Sequence, residues 1–208
     1  MSPNDQSFVL RSTVTSPFGR KVRMAIDVLG LGERVTVQPA DTLDANDTLR
    51  EQNPLGKMPC LLLADGTALY DSGVIIEFLQ ELAGSAALVP ASGPARYAAL
   101  TQATLADGIT DAALLLVYEK RFRDPGTQSE RWLDHQRGKI ARALVAVEAA
   151  PPDPTKTDIV AIALCCALAY LDWRRPVNWR EGHPRLAAWL TAFARHEPAF
   201  ERTRAPNA

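Results

Sequence analysis

Three short stretches of this sequence combine polar side chains with chain-breaking residues in ways that suit the binding of small charged groups. Ser16-Pro17 supplies a helix cap followed by proline at the first helical position. A hydroxyl there lies beside unpaired amides and the positive end of the helix dipole, which favour an anion, a thiolate included. Ser12, Thr13 and Thr15 offer rival hydroxyls in the same loop. Asp71-Ser72 falls between a short strand and the start of a helix. Ser72 can cap that helix and bind a carboxylate through its hydroxyl and amide, while Asp71 can pair with an ammonium group beside it. Together the two suit an α-amino acid head. Lys57-Met58-Pro59 sets one cation and a proline, which lacks a backbone donor, just ahead of an apolar strand.

The elements that must position these residues change in character along the chain. Ser7 to Ser12 is apolar at its centre and reads as a strand, and the helix opened by Ser16 carries Phe18, Val22, Ala25, Ile26 and Leu29 at helical spacing before Gly30 stops it. Arg34 to Gln38 is a second strand, and residues 40–52 support only a short irregular helix or a loop. Cys60 to Ala64 and Ala68 to Tyr70 are strands joined by an Asp65-Gly66 turn. The helix from Ser72 buries Ile75, Phe78, Leu79 and Leu82. The stretch 84–93, rich in Gly, Ala, Ser and Pro, reads as a linker between domains at 1–83 and 94–208. Beyond it the pattern is helical throughout: Ala95 to Phe122, Gln128 to Ala149, Ile159 to Leu171, and a final helix with Leu186, Trp189, Leu190 and Phe193 on one face.

Composition narrows the function classes. With 208 residues, 47% hydrophobic, and 23 Lys plus Arg against 24 Asp plus Glu, the chain can build a full core and has no charge footprint for nucleic acid or an anionic membrane surface. Three Cys, two of them adjacent at 165 and 166 in an apolar run, make no disulfide framework. They and Cys60 read as core residues, and without CxxC or clustered His no metal site is expected. The N-terminus lacks the pattern of a secretory signal. The Ile159–Leu171 run is about 13 residues against the roughly 20 needed to cross a bilayer. A cytoplasmic protein is the expectation. No GxGxxG, P-loop or nucleophile elbow occurs. Arg20, Lys21 and Arg23 read as the solvated face of the first helix, and Phe18, Tyr118 and Phe122 as candidates for an apolar pocket.

The order β-α-β-(α)-β-β-α followed by helices resembles the glutathione transferase architecture, an α/β thioredoxin-like N-terminal domain plus an all-α C-terminal domain. Several segments carry the resemblance: SPFGRKVR at 16–23 is similar to the first-helix motif of the serine-type members, NPLGKMPCL at 53–61 to their cis-proline loop, and YDSGVI at 70–75 to the element that grips the γ-glutamyl end of glutathione. TKTDIVAIAL at 155–164 is similar to the capping box and buried helix of their second domain, with Pro154 where a bulky staple residue usually stands, and HPRLAAWLTAF at 183–193 to their penultimate helix. The resemblance implies that Ser16, which directly precedes the helix proline, holds the glutathione sulfur as a thiolate. It implies a cis bond at Met58–Pro59, with Met58 pairing to the cysteinyl backbone, Lys57 near the glycyl carboxylate and Asp71 and Ser72 on the γ-glutamyl head. It also implies glutathione as co-substrate, a hydrophobic electrophile bound near Phe18, Tyr118 and Phe122, and a homodimer. A non-catalytic ligand carrier or interaction protein is the alternative. A glutathione-dependent reductase or peroxidase is disfavoured because no Cys stands near Ser16.

Overall fold

The computed structural model describes residues 7–206. Four strands, β1 (Phe8–Arg11), β2 (Val35–Gln38), β3 (Cys60–Leu62) and β4 (Ala68–Leu69), form one sheet in the order β2-β1-β3-β4. β1 and β2 are parallel, whereas the β1–β3 and β3–β4 pairs are antiparallel. This is a small mixed, thioredoxin-like sheet. The helices α1 (Pro17–Val28), α2 (Leu49–Gln52) and α3 (Ser72–Leu82) interleave with it. Alternation along β1 separates two faces. Phe8 and Leu10 point one way, with Phe8 edge-to-face on Phe78 of α3 at 5.5 Å. On the other side Cys60 is buried with Ala40 and Leu49, so the segment 40–52 is an ordered cover whose only helix is a four-residue turn.

Among the described residues every later element is helical: α4 (Gly93–Phe122), α5 (Glu130–Ala149), α6 (Ile159–Arg174), α7 (Pro184–His196) and α8 (Ala199–Arg202). By length and composition α4 could cross a membrane. Here its face of Ala103, Ala106, Ile109, Ala113 and Leu116 is buried, and it packs on α5 and α6. α6 is buried at every residue from Ile159 to Leu168, as expected of a helix apolar on all sides. Its cap is Asp158, which accepts the Ala161 amide at 3.0 Å. Thr155 takes no part in that cap, against the capping-box expectation, because its hydroxyl donates to Asp153 at 2.7 Å in the preceding turn.

The chain forms two compact units, one running to Val89 and taking up the segment from Ala199, the other Pro90–Pro198. α8 packs on α1, and this corrects the solvated reading of the first helix. Arg20 and Lys21 are buried. The Arg20 guanidinium donates to the Phe200 carbonyl at 2.7 Å and lies 4.4 Å over the Phe200 ring. The stretch 84–93 is likewise more ordered than its composition suggests. Leu88 and Val89 are buried, and the Gln80 side chain receives both their amides and donates to the Val89 carbonyl. Gln80→Ala should cost about 2–3 kcal/mol, since it orphans buried backbone groups. Urea unfolding checks this, and a change below about 0.5 kcal/mol would mean water replaces the side chain.

Candidate functional site

The register brings three sequence-predicted segments to one end of the sheet. Arg11, the last residue of β1, pairs with Cys60, the first of β3, and Leu61 pairs with Leu69, the last of β4. The loop 12–16 leading into α1, the Lys57-Met58-Pro59 turn and the Tyr70-Asp71 step into α3 therefore emerge together, with the N-termini of α1 and α3 at the same end. The sequence spacing across these segments gives no hint of this. It follows from the antiparallel pairing of β3 with both neighbours.

Ser16 is the N-cap of α1, half-buried, with extended backbone, and its Oγ accepts the Gly19 amide at 3.0 Å. Accepting leaves its proton available for donation. Pro17 has no N–H, so Phe18 carries the first-turn amide that the cap does not use. The rival hydroxyls are engaged elsewhere. Ser12 is buried, its Oγ donates to the Thr13 carbonyl at 3.4 Å, and it faces Gly19 so closely that a Cβ added there would lie 1.9 Å from it. Thr13 and Thr15 bond to each other at 2.9 Å, and the Thr13 hydroxyl also donates to the Met58 sulfur at 3.5 Å, joining the first two segments. Gly19→Ala must displace Ser12 or the first turn of α1, and should cost about 1–3 kcal/mol. Thermal unfolding checks it, and an unchanged midpoint would show that Ser12 rotates away freely.

The Met58–Pro59 bond is cis, as the resemblance implies. Among the described residues the Met58 N–H and C=O take no hydrogen-bond partner, which leaves a donor and an acceptor on an extended turn. Asn53, buried, supports this turn by donating from its amide to the Lys57 carbonyl at 2.8 Å. Lys57 itself is exposed. At the third segment the cap of α3 is Asp71, not Ser72 as expected: Oδ1 of Asp71 accepts the Gly73 amide at 2.9 Å. Capping needs the residue outside the helix, and Ser72 is already its first residue. Ser72 is buried, with its first-turn amide at the helix end, and Asp71 is exposed with its second carboxylate oxygen unused by the cap.

Two residues that sequence reasoning missed hold this end of the sheet in place. Arg11 is buried, and its guanidinium donates to Asp47 at 2.7 Å, Thr48 at 2.9 Å, Gln52 at 2.6 Å and the Pro39 carbonyl at 3.3 Å. Asp47 also accepts the Asp41 and Leu49 amides, and these bonds, then Arg11, hold its carboxyl below the usual range against the opposing effect of burial. The second is Asn53. A charge ending an apolar strand was the available signal for Arg11, and an Asn before Pro54 that for Asn53. Cys60 stays a core thiol, since burial pushes its pKa up and the Arg11 charge only partly offsets this.

Of the apolar candidates, Phe18 is half-buried on α1, in the first unit. Tyr118 and Phe122 lie on α4 in the second unit as an edge-to-face pair at 5.3 Å, both exposed. Among the described residues no group of His, Cys, Asp and Glu is arranged to hold a metal.

The glutathione S-transferase N-terminal domain pattern matches residues 15–82, which contain all three segments except the start of the first loop. An Escherichia coli K12 protein described as the uncharacterized GST-like protein YibF is 34% identical over 206 residues, spanning 96% of this chain and 99% of that one. The chain belongs to the glutathione transferase family. A crystal structure of a family member from Pseudomonas fluorescens Pf-5, with bound glutathione, superposes with a TM-score of 0.88 at 41% identity, covering 96% of this chain and 100% of that one. Another from the same organism, also 41% identical with the same coverage and a TM-score of 0.86, holds S-(propanoic acid)-glutathione.

Proposed function

We propose that this family member binds glutathione at the shared end of the sheet and transfers its thiolate to a hydrophobic electrophile. The observation that carries the reading is the convergence of the Ser16 cap, the Met58–Pro59 turn and the Asp71-Ser72 helix start. Glutathione bound in the relatives supports it. In this reading Ser72 receives the γ-glutamyl carboxylate on its hydroxyl and amide, and the free oxygen of Asp71 receives the ammonium. The Met58 amide and carbonyl pair with the cysteinyl backbone as a one-residue strand addition, and Lys57 attracts the glycyl carboxylate. The sulfur then lies by Ser16, where the hydroxyl donates to it and the α1 terminus favours its charge.

Chemistry follows from that placement. The thiol proton leaves to water, and the thiolate pair forms a bond to an electrophilic carbon. In substitution the leaving group departs with its bonding pair. In addition to a double bond, the neighbouring carbon takes a proton instead. Lowering the thiol pKa by two units takes about 2.7 kcal/mol of preferential stabilisation, within reach of a helix terminus plus one charge-assisted hydrogen bond. We place the protein in the cytoplasm, where glutathione is plentiful, as a homodimer burying at least about 1,000 Å². A monomer mass by light scattering at micromolar concentration would remove the dimer.

The direct test is retention on immobilised glutathione followed by conjugation of 1-chloro-2,4-dinitrobenzene. Retention with turnover is expected. Retention without turnover, repeated with several electrophile classes, would make the protein a carrier, and absence of both would end the reading.

A further inference from the structure

The sulfur atoms of this chain divide sharply by environment. The sequence has three Cys and three Met, and Met1 lies outside the described residues. Of the others, Cys60, Cys165, Cys166 and Met24 are each at most 3% exposed. Burial keeps the Cys60 thiol protonated and hence unreactive, and the Cys165 thiol donates to the Ile162 carbonyl at 3.2 Å. Met58 differs from all four. It is half-buried, and a thioether has no proton to lose before its lone pair can react.

Its contacts tie this sulfur to the glutathione site. The Thr13 hydroxyl donates to it at 3.5 Å, and Thr13 is bonded to Thr15 at 2.9 Å in the loop that ends at Ser16. The side chain also packs against the buried cluster of Ala40, Leu49 and Cys60. The backbone of the same residue carries the N–H and C=O that the described residues leave unpaired, next to the Lys57 carbonyl held by Asn53. One side chain therefore braces the turn from an apolar side and from a polar side. A sulfoxide disturbs both contacts, because its S–O group is strongly polar and is costly to bury against Ala40, Leu49 and Cys60. Its oxygen is also a stronger acceptor than the thioether and draws the Thr13 hydroxyl toward it.

We propose that Met58 is a reversible oxidation site that takes one oxygen from a hydroperoxide, and that its sulfoxide loosens the turn and weakens glutathione binding. The effect on glutathione rests on the reading above. In the forward step a sulfur lone pair attacks the terminal peroxide oxygen, the S–O bond forms and the O–O bond breaks. The leaving alkoxide or hydroxide takes the peroxide proton and departs as alcohol or water. Sulfur is oxidised by two electrons and the peroxide is reduced by two. In the reverse step two thiols supply two electrons and two protons, giving the thioether, water and a disulfide.

The test treats the full chain with dilute hydrogen peroxide, removes the excess with catalase and maps the peptides by mass spectrometry. Met58 should gain one oxygen at least about tenfold faster than Met24 or any of the three Cys. The thermal midpoint of the free protein should fall by about 2–4 °C, and its affinity for glutathione by calorimetry about five- to tenfold. Methionine sulfoxide reductases A and B with dithiothreitol should restore both. Met58→Leu, whatever its own starting affinity, should show neither change on peroxide treatment. Oxidation of Met24 or a Cys as fast as Met58, or a peroxide response that persists in Met58→Leu, would overturn the proposal. Selective oxidation with a lowered midpoint, in a protein that binds no glutathione even when reduced, would sink the transferase reading and keep the oxidation site. Glutathione binding that Met58 oxidation leaves unchanged would do the reverse.

Discussion

Ser16→Ala should reduce conjugation at neutral pH by about one to two orders of magnitude while leaving most glutathione affinity in place, the expected loss for a hydrogen bond of about 1.5–3 kcal/mol to a charged sulfur. In the proposed binding mode affinity survives because Met58, Asp71 and Ser72 remain to grip the tripeptide. Turnover does not vanish, because the Phe18 amide and the α1 terminus still favour the thiolate. The hydroxyl has a second role: its oxygen accepts the Gly19 amide at 3.0 Å, and losing that cap should cost about 1 kcal/mol of stability. The two roles separate by measurement. Thiolate absorbance of bound glutathione followed against pH should shift to higher pH in the variant, whereas thermal unfolding of the free protein reads only the cap. A variant that melts earlier with an unchanged thiol titration and unchanged turnover would reduce Ser16 to a cap. Ser16→Cys is the companion: a thiol at that terminus should form a mixed disulfide with glutathione under an oxidant and exchange transferase activity for thiol–disulfide exchange.

The second large effect is expected at Arg11. Arg11→Met removes every bond that ties segment 39–52 to the end of β1 and leaves Asp47 without its cation. Breaking this pair, in which Arg11 is buried and Asp47 partly so, should cost about 3 kcal/mol, and the loss should reach the site. α2 leads directly to Asn53, whose amide supports the Lys57 carbonyl, so retention on glutathione should weaken although Arg11 touches no part of the proposed ligand site. Asp47 sets the pH dependence. Its folded pKa lies below the unfolded value of about 4, so the unfolded chain binds more protons as pH drops. The stability from this group is therefore complete above about pH 4 and is lost as pH falls through the folded pKa. Asp47→Asn should flatten that acid slope. Arg11→Met should only reduce it, because the Asp41 and Leu49 amides remain. Urea midpoints at neutral and acid pH measure both, and an Arg11→Met protein within about 0.5 kcal/mol of the parent with full glutathione retention would refute the argument.

What the sequence by itself determined is local. Ser16-Pro17 starts a helix because a hydroxyl cap and a preset φ act within one turn, and the Asp65-Gly66 turn and the apolar face of α3 follow equally from near neighbours. The helical character after residue 93 was legible in its apolar spacing. Family resemblance supplied the cis bond and the grouping of Lys57, Met58, Asp71 and Ser72, because no spacing rule connects segments dozens of residues apart. The tertiary structure decided what depends on distant partners. Arg20 looks solvated until α8, some 180 residues later, packs on the first helix. Residues 40–52 look irregular because their order comes from Arg11 and from side-chain bonds to their own turns, not from a repeating apolar pattern. The 84–93 stretch looks like a free linker until Gln80 takes up its amides. In each case a buried polar side chain supplies the order, and a polar residue in a sequence does not announce which remote backbone it will satisfy.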